Sequence, residues 1–307
     1  MLRRYVLAVL LAIGWTGLAA APGAAQHGAG HDSHAGDGDH DPAGRIAVTV
    51  TGEGPDVVLI PGLTSQPRIW ESTVAAVPGY RYHLVHVAGF AGKPVGANAT
   101  GPVLEPLAHA IHEYIRDNKL TRPAVVGHSM GGSIGMILAS HHPDSVGKLM
   151  IVDMMPFLGA MFGPPGATAE QVRPIADAIM KQSAAQTPDQ RKAFMTAMVG
   201  GMTNVDAERP AILADSVASD PGLVGRAYHQ LIVTDLRPDL EGIAAPTTVL
   251  YVTPKGAPIS DAQMDGYYKA SYANLKNAKL VRVPDSAHFI MLDAPERFRK
   301  ELKDLLE

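Results

Sequence analysis

Apolar residues recur along this chain in two rhythms. Short runs, alternating or unbroken, predict strands over 46–50, 57–60, 82–87, 124–126, 148–152, 247–252 and 280–283, several of them closing on Gly or Pro-Gly. Between the runs lie segments with helical spacing. The clearest covers 102–118, where Leu104, Leu107, Ala108, Ile111 and Ile115 form one stripe that leaves His109 and His112 facing outward. Strand and helix in alternation predict right-handed crossovers, and with them an α/β fold built on a mostly parallel sheet with helices on both faces.

The alternation stops between about Met154 and Asp235. Four helical segments (169–185, 188–199, 206–219 and 222–234) follow one another there with no strand between them. A helical insertion must bury its apolar side on something, and the carboxyl ends of the strands are the economical place for a lid. Met155, Met161, Met180, Met195, Met198 and Met202 all fall in it. Methionine fills irregular apolar space, so each reads first as lid core and second as pocket lining.

The amino-terminal residues follow neither rhythm. Arg3 and Arg4 precede an apolar run over 5–21 and then Pro22-Gly23-Ala24-Ala25-Gln26, the pattern of a secretory signal cut after Ala25. The run is short for a membrane span and holds Gly14 and Gly17, so no stable span is expected in the mature protein. Export to a bacterial periplasm or medium follows as the expected location. Residues 26–44 are rich in His, Asp and Gly without a large apolar side chain, which predicts disorder. His27, His31, His34 and His40, with Asp32, Asp37, Asp39 and Asp41, could gather a transition metal loosely. Nothing in the sequence fixes these side chains, so no metal site is assigned to them. The folded domain is therefore expected over 45–307.

Composition narrows the chemistry. The 307 residues are 46% hydrophobic and carry a formal net charge of −4, and losing the signal would leave 24 basic residues against 30 acidic ones. A nucleic-acid partner would call for a basic surplus, so none is expected. With no cysteine there is no disulfide, thiolate metal site or catalytic thiol. Reactivity falls to Ser, His, Asp, Glu or Lys.

Gly127-His128-Ser129-Met130-Gly131 is a G-x-S-x-G sequence directly after a predicted strand and before a helical run over 133–140. That context suits a nucleophile elbow, a sharp turn that projects Ser129 at the top of the sheet and points helix N–H groups at incoming negative charge. A serine hydroxyl needs a base, and His288 in Ser286-Ala287-His288 follows the last predicted strand, where such a base is required. His128, beside the serine, reads as packing or shaping the pocket, and His83, His86, His141 and His142 read as structural.

From Arg45 to Glu307 the chain resembles the α/β-hydrolase superfamily, in its serine esterase or lipase-like branch. The resemblance rests on the elbow, on Ser286-Ala287-His288, on Pro61-Gly62-Leu63 and on the lid. It implies an α/β-hydrolase fold with the helical lid inserted after the sixth strand, and an oxyanion hole made by the backbone N–H groups of Leu63 and Met130. Many relatives carry His-Gly where this chain has Pro61-Gly62, a change of side chain rather than of donor. Many relatives also place the triad acid after the seventh strand, but the loop 253–258 has no carboxylate. Asp153, at the end of the preceding strand, is the favoured acid, as in some haloalkane dehalogenases. Asp261 reads as a helix cap and stays the alternative. Asp235 is read as structural, paired with Arg237, and Asp285 as turned away. The resemblance implies hydrolysis of a small ester-like substrate through an acyl-enzyme, with no metal or organic cofactor. Serine at the elbow argues against a dehalogenase. Cofactor-free haloperoxidase or perhydrolase activity, lactone, amide or carbon–carbon bond hydrolysis, and a non-catalytic secreted binding protein remain open alternatives. The oligomeric state is left unassigned.

Overall fold

In a computed structural model of the chain, residues 44–164 and 166–307 are described. The expected signal peptide and the His-rich segment up to residue 43 lie outside the described residues.

Seven strands form one sheet in the order β1-β3-β2-β4-β5-β6-β7. They are β1 Ile46–Thr51, β2 Asp56–Ile60, β3 Arg81–Val87, β4 Ala124–His128, β5 Lys148–Val152, β6 Thr247–Tyr251 and β7 Ala278–Arg282. The edge strand β1 runs antiparallel to β3, and every other pairing is parallel. The central strands are apolar and buried almost throughout because helices cover both of their faces. A short α1 (Glu71–Ala76) lies between β2 and β3, and a short α9 (Ile290–Asp293) lies near the chain's end. Successive residues of β2 show the two-residue period. Val58 and Ile60 join the core under α2 (Leu104–Asp117) and α3 (Met130–His141). Val57 and Leu59 face the opposite core, which holds Trp70, Phe298 and Leu302 beneath α10 (Pro295–Leu306).

The predicted stripe of α2 is buried as expected: Leu104, Leu107, Ala108, Ile111 and Ile115 all lie in the core. His109 is exposed, whereas His112 is half-buried, stacked on His142 with ring centroids 3.8 Å apart and bonded through Nδ1 to Ser145 Oγ.

The chain leaves β2 toward β3 on one side and returns as β4 on the other. The carboxyl ends of β2 and β4 therefore flank a topological switch point, the place where open α/β sheets form a crevice. Four helices stand between β5 and β6: α4 (Ala169–Ala184), α5 (Pro188–Met202), α6 (Arg209–Ala218) and α7 (Pro221–Val233). The insertion thus follows the fifth strand in chain order rather than the sixth, because the described sheet opens with a single antiparallel strand before β2. It is fastened to loops at the carboxyl edge. Asp220 N donates to Gly89 O at 2.8 Å, and Phe289 N to Met202 O at 3.0 Å. Gln230 Oε1 accepts from Val103 N and Leu104 N, acting as the cap that α2 lacks in its own sequence. Met155 is buried in the core, while Met161 is exposed and Met180, Met195, Met198 and Met202 are half-buried. No helix among the described residues is long and apolar enough to cross a membrane.

Two histidines of β3 are held neutral inside the fold. His83 donates through Nε2 to Asp56 Oδ1 at 2.9 Å and accepts through Nδ1 from Tyr114 OH at 2.7 Å. Burial pushes the His83 imidazolium below its ordinary pKa, against the pull of Asp56, and pushes His86 down to about 4. A histidine depressed on folding binds its proton more readily in the unfolded chain, so stability rises with pH between the two pKa values. Urea midpoints should therefore fall as pH drops from 6.5 toward 4, and His86→Gln should flatten that slope. A midpoint independent of pH over this range would contradict the assignment.

Candidate active site

The turn between β4 and α3 places Ser129 at φ 54° and ψ −121°, a left-handed backbone conformation that costs a non-glycine residue of order 1–3 kcal/mol. Its surroundings explain how it persists. Ser129 N extends the sheet ladder to Val152 O at 2.9 Å, and Ser129 O accepts from Gly132 N at 2.8 Å. A Cβ on Gly127 would strike the backbone of Gly131, and one on Gly131 would strike Ile60 O and lie 2.8 Å from Pro61 O. A Cβ on Gly62 would stand 2.9 Å from His128 Nδ1 and 3.1 Å from Ser129 Cβ. Backbone thus meets backbone where β2, β4 and α3 converge. Leu63 follows Gly62 in that contact, and Met130 N opens α3, among the first-turn N–H groups that have no partner within the helix.

Asp153 follows β5, also with positive φ (51°), and its N–H donates to Leu250 O at 2.8 Å. This bend aims the carboxylate across β6 at the loop after β7. His288 Nδ1 donates to Asp153 Oδ2 at 2.7 Å, joining residues 135 positions apart. The second oxygen, Oδ1, accepts from Val252 N at 3.3 Å and from the buried Tyr268 hydroxyl at 3.4 Å. Asp153 and His288 are both mostly buried, with side-chain exposures of 13% and 24%. With Nδ1–H committed to the carboxylate, Nε2 carries the free lone pair of a neutral imidazole.

Two residues that the sequence did not single out for this part, His128 and Asp293, hold the loop in place. His128, fully buried, donates through Nε2 to His288 O at 3.0 Å, and the two rings lie 4.6 Å apart between centroids. Its Nδ1 is buried without a partner among the described residues. Burial, followed by the proximity of His288, drives the His128 imidazolium well below its ordinary pKa, so the ring is a neutral donor. Asp293 accepts from Ala287 N at 2.7 Å, from Thr203 Oγ1 at 2.6 Å and from Asn204 N at 3.0 Å, tying the His288 loop to the end of α5.

The other carboxylates stand elsewhere. Asp261 opens α8 (Asp261–Ser271), exposed and paired with Arg282 at 2.7 Å. Asp235 is bonded to Arg237 through both oxygens. Asp285 is exposed on a left-handed turn. Among the described residues no three His, Asp or Glu side chains are gathered as metal ligands.

The sequence profile of the Alpha/beta hydrolase family matches residues 57–301. Pimeloyl-[acyl-carrier protein] methyl ester esterase of Aromatoleum aromaticum is 26% identical over 270 residues, covering 82% of this chain and 98% of its own. The protein of the same name from Vibrio cholerae is 27% identical over 205 residues, covering 66% and 76%. The solved structure of an esterase from Exiguobacterium antarcticum superposes with a TM-score of 0.70 at 23% identity, over 84% of this chain and 94% of the other.

The backbone convergence yields a graded test. Gly131→Ala, which drives a methyl into backbone that cannot yield, should cost about 1–3 kcal/mol or more in urea unfolding. Gly62→Ala, which meets mainly the His128 ring, should cost less. Gly200→Ala, in α5 with open space around it, should stabilise by about 0.4–1 kcal/mol. The reverse ranking would contradict the packing described.

Proposed function

The chain belongs to the α/β hydrolase family, and on that footing we propose that it hydrolyses carboxylic esters of small molecules through an acyl-enzyme on Ser129. The observation that carries the reading is the 2.7 Å bond from His288 to Asp153, formed by a loop that His128 ties to the serine turn. In this reading His288 Nε2 takes the proton of Ser129 Oγ as the oxygen attacks the ester carbonyl. The ring becomes an imidazolium that Asp153 stabilises while holding its tautomer. The carbonyl oxygen, now an oxyanion, is received by the N–H groups of Leu63 and Met130, each donor of this kind being worth about 10²–10³ in rate. His288 then gives its proton to the leaving alcohol. It next takes one from water as the water oxygen attacks the acyl-enzyme; the acyl–Oγ bond then breaks, the acid leaves and His288 returns the proton to Ser129 Oγ. None of these steps calls for a metal or organic cofactor.

Two relatives that span most of this chain are named as methyl ester esterases, which supports an ester over an amide. The methionine-rich insertion, with Met195 half-buried against the core, favours a modest apolar acyl or alcohol group. The amino-terminal Arg3-Arg4, the apolar run and the small residues before Gln26 support export before the enzyme acts.

Fluorophosphonate labelling tests the nucleophile. Ser129 should be modified, and Ser129→Ala should lose both the label and about 10⁴-fold or more of the turnover against short-chain esters. Asp153→Asn should remain folded by circular dichroism and lose about 10³–10⁴-fold in kcat. Unlabelled Ser129 in a folded protein would favour a binding role. Near-normal turnover of Asp153→Asn would move the acid elsewhere.

A further inference from the structure

The turn that carries Leu63 is itself strained, and its support comes from the insertion. Thr64, a β-branched residue, sits at φ 63° and is buried. Left-handed backbone is unfavourable for such a side chain, so the conformation needs an external hold. Ser216 on α6 supplies one. Its hydroxyl donates to Ile212 O at 2.9 Å, which leaves its oxygen to accept from the Thr64 hydroxyl at 3.0 Å. One residue earlier, Asp215 Oδ1 accepts from Gln66 Nε2 at 2.5 Å. Arg68 adds ion pairs to Glu208 at 2.8 Å and to Asp215 at 3.8 Å. Residues 64, 66 and 68 of the turn are all held from the same side.

The helix that provides this hold is itself anchored at its far end. Arg191 of α5 donates to Ser216 O at 3.2 Å and Ser219 O at 2.7 Å, satisfying carbonyls that the end of α6 leaves open. Ser219 Oγ accepts from Ala91 N at 2.9 Å, in the loop after β3. The segment is thus pinned to two separate loops of the sheet edge.

We infer that α6 is a fixed clamp rather than a moving part of a lid, and that Ser216 and Asp215 are positioning residues that hold the Leu63 N–H where an oxyanion forms. This rests on the reading of Ser129 as nucleophile and of Leu63 N–H as oxyanion donor. A clamp of this kind acts on the transition state more than on substrate binding, because the donor's aim matters most when charge develops on the oxygen.

The test reads kcat per serine that a fluorophosphonate can label, so a loss of folded protein does not imitate a loss of catalysis. Ser216→Ala and Thr64→Val, which break the contact from opposite sides, should each lower kcat per labelled site about ten- to a hundredfold. KM should change by less than about twofold, since uniform binding is left intact. The rate of fluorophosphonate inactivation should fall in parallel, because the phosphonyl oxygen occupies the same position. Adding Thr64→Gly to Ser216→Ala should recover part of the loss, as glycine adopts positive φ without a hold. Wild-type kcat per labelled site in both single variants, or a loss confined to the labelled fraction, would overturn the clamp. Absence of labelling at Ser129 in the wild-type protein would instead overturn the underlying reading, before any variant is made.

Discussion

Everything at the carboxyl edge depends on backbone approaching backbone where β2, β4 and α3 meet. Three glycines, at 62, 127 and 131, leave no room there for a Cβ, and the close approach they permit bends Ser129 into a conformation that serine does not choose for itself. The strain is local and its support is distributed. The Ser129 amide continues the parallel ladder onto Val152, and Asp153, one residue further, repeats the device by donating to Leu250 with its own backbone turned left-handed. Two adjacent strands thus end in the same kind of kink. The result is a pair of polar residues at neighbouring positions just past two paired strand ends, one carrying a hydroxyl and one a carboxylate.

Placing the carboxylate that meets His288 after β5 rather than β6 has a physical consequence. In this position Asp153 sits among Val252 N, the Tyr268 hydroxyl and His288, so both oxygens have donors and the carboxylate stays compensated although it is largely buried. Asp261 offers none of this. It lies in solvent paired with Arg282 at the first position of α8, and the cap expected of it is supplied by Ser260, whose hydroxyl accepts from Gln263 N. The choice between the two carboxylates is a matter of which one the surrounding donors can hold without water.

Much of this was legible in the sequence because it depends on short-range rules. All seven strands and the four helices of the insertion appear at or within a few residues of their expected places, since apolar period and Gly-Pro punctuation act locally. Ser129 was legible from the glycines either side of it, His288 from its place after the last strand, and Asp153 from its place at a strand end. What escaped is the set of contacts made between a side chain and a distant backbone atom. His128 read as packing or shaping the pocket, and its tie to the His288 loop was missed because its partner is a carbonyl 160 residues away, and a carbonyl leaves no mark on sequence. Asp293 escaped for the same reason, its role being to collect the N–H groups of Ala287 and Asn204. His112 was expected in solvent, yet the end of α3 brings His142 over its ring.

The insertion shows the same limit and also carries the argument furthest. A run of helices after a strand suggests a lid, and a lid suggests motion, but periodicity says nothing about how firmly each helix is held. Here the four helices are held unequally. The carboxyl half of α6 is bonded to the turn after β2, to the loop after β3 and to Arg191, whereas Val199 is the one residue fully buried in α5. Opening that moved α6 would have to break one buried and several part-buried hydrogen bonds at once, and would release Thr64 from its strained conformation at the same moment. Opening that left Arg191 and α6 in place would spare these bonds. If substrate enters by a movement of the insertion, that movement has to leave Arg191 and α6 on the sheet, because the turn after β2 and the loop after β3 are both tied to them.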